Sequence, residues 1–206
     1  DSQVLTVTIA AVNDTPVAST DLSGETSEGV SITIQLSASD VDGDNLTYSL
    51  LSDATNGSVT IEGQLATYVP TDYYYGADEF TFQVSDGELT DNASVSLFVN
   101  SVNDAPVLAT LDNVSFDEDS SGGVTLSATD IDGDDLTYSV TTGTDIVATL
   151  DGSDLSFSAP ADFNGTENFT VSVTDGDLTD SQVLTVTIAA VNDTPVAGLG
   201  LSGITD

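Results

Sequence analysis

The residues best suited to chemistry in this chain are aspartates at alternating positions around a glycine. The pattern occurs as Asp40-Val41-Asp42-Gly43-Asp44 and again as Asp130-Ile131-Asp132-Gly133-Asp134. Each copy follows one apolar alternating run and precedes another, so it is predicted to be a loop between strands. Carboxylates around a tight bend can surround a hard cation with oxygen ligands, as calcium requires. The alternative is a plain acidic turn, because Asp-Gly is common in turns.

A second acidic segment recurs between the modules of the chain. Val102-Asn103-Asp104-Ala105-Pro106 also stands at Val12-Asn13-Asp14-Thr15-Pro16 and at Val191-Asn192-Asp193-Thr194-Pro195, at steps of 90 and 89 residues. Proline removes a backbone donor and makes the preceding residue extended, which predicts a short, stiff connector. The Asn-Asp oxygens in this connector are expected to help bind calcium, and the bound ions to stiffen the joint.

A third acidic turn completes the predicted site. Ser85-Asp86-Gly87 matches Thr174-Asp175-Gly176, and on its own this pattern is a hairpin turn. In a β-sandwich, however, this loop, the first acidic loop and the incoming connector lie at the same end. The residues expected to converge there in the second module are Asn103, Asp104, Asp130, Asp132 and Asp175.

Acidic residues near the opposite end of each module are expected to reach the next connector. Glu28 aligns with Glu118 at the entrance to each module, and Asp78 aligns with Glu167 before the sixth strand. Together these positions offer the six or more oxygens that calcium takes. The complete predicted ligand set is Asn13, Asp14, Glu28, Asp40, Asp42, Asp78, Asp86, Asn103, Asp104, Glu118, Asp130, Asp132, Asp175, Asn192 and Asp193.

The composition excludes several classes of function. The 206 residues include 35 Asp and Glu but no Lys, Arg, His or Cys, so every carboxylate must be solvated, hydrogen-bonded or paired with an external cation. Nucleic acid and anionic membranes are unsuitable partners because no side chain can neutralise phosphate, and no apolar run is long enough to span a bilayer. Only carboxylate-pair chemistry such as glycoside hydrolysis would remain for catalysis, and we expect no enzyme.

Apolar residues alternate with small polar ones throughout the chain, as in half-buried strands. Examples are Ile32-Ile34-Leu36, Phe80-Phe82-Val84, Val95-Leu97-Val99 and Phe169-Val171-Val173. About seven such runs occur per 90 residues, with turn signals roughly every ten residues and no capped helical pattern. The pattern predicts an all-β chain of tandem Greek-key, Ig-like sandwiches.

The repeats also predict the domain boundaries. We expect residues 1–13 to be the last strand of an upstream repeat, 14–103 and 104–192 to be two full repeats, and 193–206 to begin a downstream one. Residues 1–18 are identical to 180–197 at all 18 positions but match 91–108 at only 6. Modules two apart are thus closer than neighbours, which predicts a long chain built on a two-module unit of 179 residues.

These motifs resemble those of a known family. Ala38-Ser39-Asp40-Val41-Asp42-Gly43-Asp44 and Val102-Asn103-Asp104-Ala105-Pro106 look like the bacterial cadherin-like repeats of giant surface adhesins and, more distantly, like cadherins. The resemblance implies extracellular Ig-like sandwiches in tandem, made rigid by Ca²⁺ at their joints. It assigns the linker ligands to Asn103 and Asp104, the paired loop aspartates to Asp130 and Asp132, and the later loop aspartate to Asp175.

The chain departs from cadherins in two respects. Its linker lacks a further Asn and Asp, and the acidic pair on the far side of the joint is only loosely matched by Asp78 and Glu79, so fewer than three ions per joint are expected.

Two functions are consistent with these patterns. The first is a structural segment of a long extracellular filament or cell-surface adhesin, whose partners are neighbouring repeats and other filament or surface components. The alternative is a module that binds carbohydrate or protein through its loops, to which the aromatic run Asp72-Tyr73-Tyr74-Tyr75-Gly76 could contribute. A simpler interpretation of that run is that one ring covers the edge of the sandwich, since the second module has Asp162-Phe163-Asn164-Gly165 there.

Overall fold

A computed structural model describes residues 3–10 and 12–195. The chain divides into two units, unit 1 (Asp1–Val102) and unit 2 (Asn103–Asp206). Every regular element in the described residues is a β-strand, so these residues include no helix that could cross a membrane. Residues 196–206, most of the segment 193–206 that is expected to begin a downstream repeat, lie outside the described residues.

Nine strands form unit 1. They are β1 (Val17–Ala18), β2 (Leu22–Ser27), β3 (Ile32–Gln35), β4 (Ala38–Ser39), β5 (Thr47–Ser52), β6 (Gly57–Glu62), β7 (Leu65–Pro70), β8 (Gly76–Ser85) and β9 (Thr90–Asn100). They pair in the order β2-β9-β8-β5 in one sheet and β3-β7-β6 in the other, with β1 paired to β4. Side chains from both sheets meet in one core, for example Phe80 and Phe82 of β8 with Ile34 of β3 and Tyr68 of β7.

Unit 2 repeats this arrangement. Its strands are β10 (Val107–Leu108), β11 (Val114–Asp117), β12 (Gly122–Thr125), β13 (Ala128–Thr129), β14 (Thr137–Val140), β15 (Val147–Asp151), β16 (Asp154–Ser158), β17 (Gly165–Thr174) and β18 (Thr179–Ala189). The sheets are β11-β18-β17-β14 and β12-β16-β15, with β10 paired to β13. Its core joins Phe169 and Val171 of β17 to Leu155 and Phe157 of β16. The predicted all-β, tandem Ig-like sandwich fold is confirmed.

The first strand of each unit differs from the antiparallel pairing that alternation suggests. In unit 1 it is split: β1 pairs antiparallel with β4, and β2 then pairs parallel with β9. Asp21, between the two halves, has φ 63°, a left-handed conformation that Asp tolerates better than most residues. Unit 2 has the same parallel pair between β11 and β18. Period-two alternation identifies strands but not which neighbour, or which direction, a split strand takes.

Candidate metal-binding ends of the two units

The first acidic loop of unit 1 is closed by a single carboxylate oxygen. Asp40 follows directly on β4, and its Oδ1 accepts hydrogen bonds from the backbone N–H groups of Asp42, Gly43 and Asp44 at 2.9, 3.0 and 3.3 Å. Gly43 has φ 80°, where a residue without Cβ avoids strain. The bend turns the carboxylates of Asp40, Asp42 and Asp44 inward, so that one oxygen of each lies within 4.8 Å of the others.

Unit 2 contains the same loop with nearly the same geometry. Asp130 Oδ1 accepts from the N–H groups of Asp132, Gly133 and Asp134 at 2.9, 3.0 and 3.4 Å, and Gly133 has φ 82°. The three carboxylates again gather within 4.8 Å. The loop geometry is therefore a property of the repeated sequence and not of one unit.

The second oxygen of each leading aspartate has no donor. Asp40 Oδ2 and Asp130 Oδ2 are both inaccessible to solvent and accept no hydrogen bond from the described residues. A buried carboxylate oxygen without a partner is unfavourable by several kcal/mol unless something positive or hydrogen-bonding meets it. Because the chain has no Lys, Arg or His, no side chain can supply that charge. These carboxylates fit an oxygen-preferring divalent cation such as Ca²⁺.

The connector segment is bonded to the same end of each unit. In unit 1, Asn13 Nδ2 donates to Asp86 Oδ2 at 2.9 Å, and Asp14 N donates to Asp42 Oδ2 at 2.8 Å. We call this end, with the acidic loop, the Asp86 turn and Asn13-Asp14, the entry end. An open cleft of about 480 Å³ lies here, lined among others by Asn13, Asp42 and Asp44.

The entry end of unit 2 repeats both contacts. Asn103 Nδ2 donates to Asp175 Oδ2 at 3.0 Å, and Asp104 N donates to Asp132 Oδ2 at 2.8 Å. The structure thus brings together the five residues expected to converge, Asn103, Asp104, Asp130, Asp132 and Asp175, as well as their counterparts Asn13, Asp14, Asp40, Asp42 and Asp86. Whether they bind a metal ion stays a prediction.

Charge is distributed unevenly within these ends. Backbone N–H groups of Leu89 and Leu178 hold the pKa values of Asp86 and Asp175, respectively, below the usual range for Asp. Partial desolvation, followed by the charges of Asp130 and Asp132, raises the pKa of Asp134. The entry end of unit 2 therefore combines Asp175, whose charge the backbone stabilises, with Asp134, whose charge is disfavoured by desolvation and by its acidic neighbours.

The opposite end of each unit, which we call the exit end, carries a glutamate that binds the departing chain. Glu28 Oε2 accepts from Val102 N at 2.8 Å, and Glu118 Oε1 accepts from Val191 N at 2.6 Å. Glu118 is buried, and its second oxygen accepts from Asn164 Nδ2 at 3.4 Å. Both glutamates thus reach the next connector, as expected from the sequence. Glu28 contacts the residue before Asn103, and Glu118 contacts the residue before Asn192.

The exit end of unit 2 contains three further carboxylates. One oxygen each of Asp119, Asp162 and Asp193 lies within 4.8 Å of the others. The charge of Asp162, then desolvation and the charge of Glu118, raise the pKa of Asp193. Of this group only Asp193 belongs to the ligand set predicted from the sequence. The other predicted ligand in this connector, Asn192, turns its Nδ2 to the carbonyl oxygen of Asp193.

Asp78 has a structural role that the sequence did not indicate. Its oxygens accept from the backbone N–H groups of Thr55 and Asn56 and from the hydroxyl of Tyr68, at 2.9–3.0 Å. In unit 2 Glu167 accepts in the same way from the N–H groups of Thr144, Asp145 and Ile146. Both carboxylates close the loop between the fifth and sixth strands of their unit, and a ligand role for Asp78 remains a prediction.

Sequence reasoning missed four residues of the acidic clusters: Asp44, Asp134, Asp119 and Asp162. Asp44 and Asp134 stand inside the repeated loop motif, so the motif itself carried the signal. Asp119 and Asp162 have no such signal, because their counterparts in unit 1 are Gly29 and Tyr73. The backbone is left-handed at all four positions, with φ of 60–69° at Asp119, Asp162, Gly29 and Tyr73.

The aromatic run of unit 1 splits between core and surface. Tyr74 packs against the core and its hydroxyl donates to the carbonyl oxygen of Ala77, so one ring does cover the edge of the sandwich. Tyr73 and Tyr75 are exposed. Unit 2 has Asp162 and Asn164 at those two positions, so the exposed aromatic surface belongs to unit 1.

Comparison with known proteins identifies the fold and the family. The chain is 32% identical over 114 residues to Chitinase A of Pseudoalteromonas piscicida, a match that covers 54% of this chain but only 14% of that protein. Among solved structures it resembles human Protocadherin-24 EC1-2 (TM-score 0.55, 19% identity, 88% of this chain and 100% of that one). It also resembles Protocadherin Gamma B2 extracellular cadherin domains 1-5 (TM-score 0.58, 18% identity, 88% and 40%).

The family model of the bacterial Ig domain matches twice in tandem, over residues 13–98 and 103–187. The two matches fall one in each β-sandwich unit and together cover most of the chain. With the cadherin-like fold of both units, they show that this chain belongs to the bacterial Ig domain family.

Proposed function

We propose that this chain is a structural, non-enzymatic repeat segment of a long extracellular adhesin or filament, stiffened by Ca²⁺ bound at the joints between modules. The observation that carries the proposal is the buried, donor-free oxygen of Asp40 and of Asp130. Each stands in a loop that also bonds the incoming connector through Asp42 or Asp132. A cation at this point would tie the connector to the module it enters.

The ligands at each entry end would come from three segments. In unit 1 these are the connector residues Asn13 and Asp14, the loop aspartates Asp40 and Asp42, and Asp86. The amide of Asn13 donates through Nδ2, which leaves its Oδ1 for a cation. Asp44 offers a further carboxylate in the same cluster. Ca²⁺, which takes six to eight oxygens in a flexible shell, would supply the positive charge that the chain itself lacks.

The link between modules follows from the order of residues in the chain. Glu28 binds the amide of Val102, and the next two residues, Asn103 and Asp104, are proposed ligands of unit 2. Glu118 likewise binds Val191, which precedes Asn192 and Asp193. A cation bound by the connector and by these glutamates would restrain the joint itself. Asp78 is the ligand least favoured by this scheme, because its oxygens already accept four donors within unit 1.

Calorimetric titration of the full chain with calcium tests the binding. We expect heat from sites with dissociation constants near 10⁻⁴–10⁻³ M, the range of extracellular modules. Asp40→Asn and Asp130→Asn keep the oxygen that closes each loop but remove a charge, so each should weaken its site about tenfold or more. Asp151→Asn, an exposed strand residue outside the clusters, is the matched control. If titration of the unaltered chain with calcium gives no heat of binding, the proposal is contradicted.

Small-angle scattering tests the stiffening separately. Asp132→Ala removes both a proposed ligand and the acceptor for Asp104 N, so we expect a broader distribution of chain dimensions in calcium without loss of either sandwich. An unchanged maximum dimension in saturating calcium, with full ion occupancy by calorimetry, would remove Asp132 from the ligand set.

One observation favours a second candidate, a carbohydrate-binding module. Tyr73 and Tyr75 are exposed in unit 1 only, and aromatic rings can stack on sugar rings. The partial similarity to a chitinase is consistent with a module attached to a glycan-active protein. Affinity electrophoresis through polysaccharide gels should then show retardation that Tyr73→Ala and Tyr75→Ala abolish. Leu65→Ala, which removes an exposed apolar side chain elsewhere in unit 1, is the control. Equal mobility of all forms would exclude this candidate.

A further inference from the structure

Residues 3–10 form an apolar segment without a partner in the described residues. They have no strand pairing, and the side chains of Leu5, Val7 and Ile9 are 87%, 74% and 89% exposed. Alternating Leu, Val and Ile is a strand pattern, and a single strand cannot satisfy its backbone or bury its apolar face in water. The segment therefore needs a sheet that residues 12–195 do not offer it.

The same sequence stands at residues 182–189, inside β18 of unit 2. There Leu184, Val186 and Ile188, the counterparts of Leu5, Val7 and Ile9, are 0%, 0% and 3% exposed. The strand lies between β11, which it meets in parallel, and β17, which it meets antiparallel. Its outward residue, Val183, the counterpart of Val4, stays 63% exposed.

We propose that residues 3–10 are the closing strand of another body of the unit 2 type, one that precedes unit 1 in the same polypeptide. Leu5, Val7 and Ile9 enter its core, and Val4 faces outward. The partner is specified by sequence: its strands correspond to β11 and β17. This inference is independent of calcium and concerns which module unit 1 follows.

Other partners are less suitable for physical reasons. Unit 1 already has β9 at the equivalent place, and residues 91–108 match residues 1–18 at only 6 positions. A second copy of the chain has β18 in its own unit 2, so exchange would replace each contact by an identical one and gain nothing. A body that lacks its closing strand gains the full burial of three apolar side chains.

The proposal fixes the order of modules at the joint before unit 1. Because residues 12–16 repeat 191–195, the connector into unit 1 leaves the exit end of a unit 2-type body. That end carries Glu118, Asp119 and Asp162, whereas the connector into unit 2 leaves an exit end with Glu28, Gly29 and Tyr73. The two kinds of joint would then alternate along the polypeptide.

The experiment compares the 206-residue chain with an extended chain in which residues 103–179 are placed directly before Asp1. Leu5→Asp and its matched control Val4→Asp are made in both. In the 206-residue chain neither should change the melting temperature. In the extended chain Leu5→Asp should lower the melting temperature of the added body by several degrees, and Val4→Asp should have little effect. Hydrogen exchange at residues 5–9 of the unaltered extended chain should slow by about 100-fold or more.

Three results would overturn the proposal. One is an equal effect of Leu5→Asp and Val4→Asp in the extended chain, and another is unprotected amides at residues 5–9. The third is self-association of the 206-residue chain in analytical ultracentrifugation that Leu5→Asp abolishes, because the partner would then be a second copy. Amide protection is measured on the extended chain without substitutions, so it tests the proposal even if the Asp variants fail to fold.

Discussion

The two units have matching entry ends and different exit ends. At the entry ends, Asp40 and Asp130 close their loops with the same three backbone bonds and leave the same oxygen without a donor. At the exit ends, Glu28 and Glu118 bind the departing chain alike, but Gly29 and Tyr73 of unit 1 stand where unit 2 has Asp119 and Asp162. The repeated entry end is held by backbone geometry, whereas the charge of the exit end is set by two side chains that can be exchanged without altering the fold.

A second difference between the units lies inside the sandwiches, where two residues change together and the loop between the fifth and sixth strands is closed in both. In unit 1 the buried Tyr68 and the shorter Asp78 close the loop between the fifth and sixth strands, and Tyr68 donates to Asp78 at 3.0 Å. In unit 2 Phe157 replaces the tyrosine, and the longer Glu167 reaches the loop amides alone. Burial and the hydrogen bond to Asp78 raise the pKa of Tyr68, which keeps it a donor. Each unit satisfies the same loop with a different pair.

The largest effect should come from breaking this loop in unit 1. Asp78→Ala leaves the amides of Thr55 and Asn56 without their acceptor, and the hydroxyl of Tyr68 keeps only the carbonyl oxygen of Asn56 at 3.3 Å. We expect a loss of about 2–3 kcal/mol of unfolding free energy. Chemical denaturation followed by tyrosine fluorescence measures it. Glu79→Ala, which removes an acceptor from one exposed serine, is the control. Equal stability of the two variants would show that the loop does not depend on Asp78.

A smaller effect is expected when the unit 1 pair is converted to the unit 2 pair. Tyr68→Phe should cost about 1 kcal/mol, because the ring stays buried and only the hydroxyl, which bonds Asp78 and the carbonyl oxygen of Asn56, is lost. Adding Asp78→Glu should recover part of this loss, since the longer side chain reaches the loop amides as Glu167 does. A double-mutant cycle measures the coupling. Strict additivity of the two losses would show that the two pairs are not equivalent solutions.

The charge of each exit end can be changed by a single substitution. Asp162→Asn reduces the repulsion on Asp193 and should raise the melting temperature of unit 2 by about 1–2 °C in low salt with chelator. In calcium the sign should reverse if these carboxylates meet a cation.

Tyr73→Asp is the converse test, and aspartate also tolerates the left-handed φ of 61° at this position better than tyrosine. Scanning calorimetry with and without calcium reads both variants. If calcium shifts the melting temperatures of both variants and of the unaltered chain equally, the charge difference between the exit ends has no effect on calcium-dependent stability.

The smallest effect concerns acid. The pKa values of Asp86 and Asp175 are lowered in the folded state, so their contribution to stability is present above the unfolded pKa of about 4 and is lost as pH falls through the folded value. Asp134 and Asp193 have raised pKa values and act in the opposite sense, because folded protein gains stability there as pH falls. Asp175→Asn should therefore flatten the loss of stability of unit 2 below pH 4, measured by urea unfolding across pH. If stability falls with pH as steeply in Asp175→Asn as in the unaltered chain, the lowered pKa of Asp175 is contradicted.

The sequence predicted the parts of this molecule that repeat. Alternation located the core strands around Phe82 and Phe169. The positions of Asn103, Asp130 and Asp175 in the connector and loops of the predicted sandwich placed them at one end. It could not predict the parallel pairing of β2 with β9, which depends on where a split strand crosses between sheets. It also missed Asp119 and Asp162, because residues from distant loops that occur in only one unit leave no periodic signal.

Asp78 shows a different limit of sequence reasoning. Its alignment with Glu167 was correct, because both carboxylates accept hydrogen bonds from loop amides. The sequence alone, however, does not distinguish a carboxylate with this structural role from one that binds a cation. Only the donors around it, Thr55, Asn56 and Tyr68, distinguish the two roles.

Thermal unfolding of the intact chain in calcium, magnesium and chelator tests the central claim most directly. A cation that meets the donor-free oxygens of Asp40 and Asp130 binds only the folded state, so the melting temperatures of both units should rise steadily with calcium in the millimolar range. Magnesium should raise them less, because it demands a small octahedral shell and keeps its waters. Melting curves that coincide in calcium and in chelator would contradict the account.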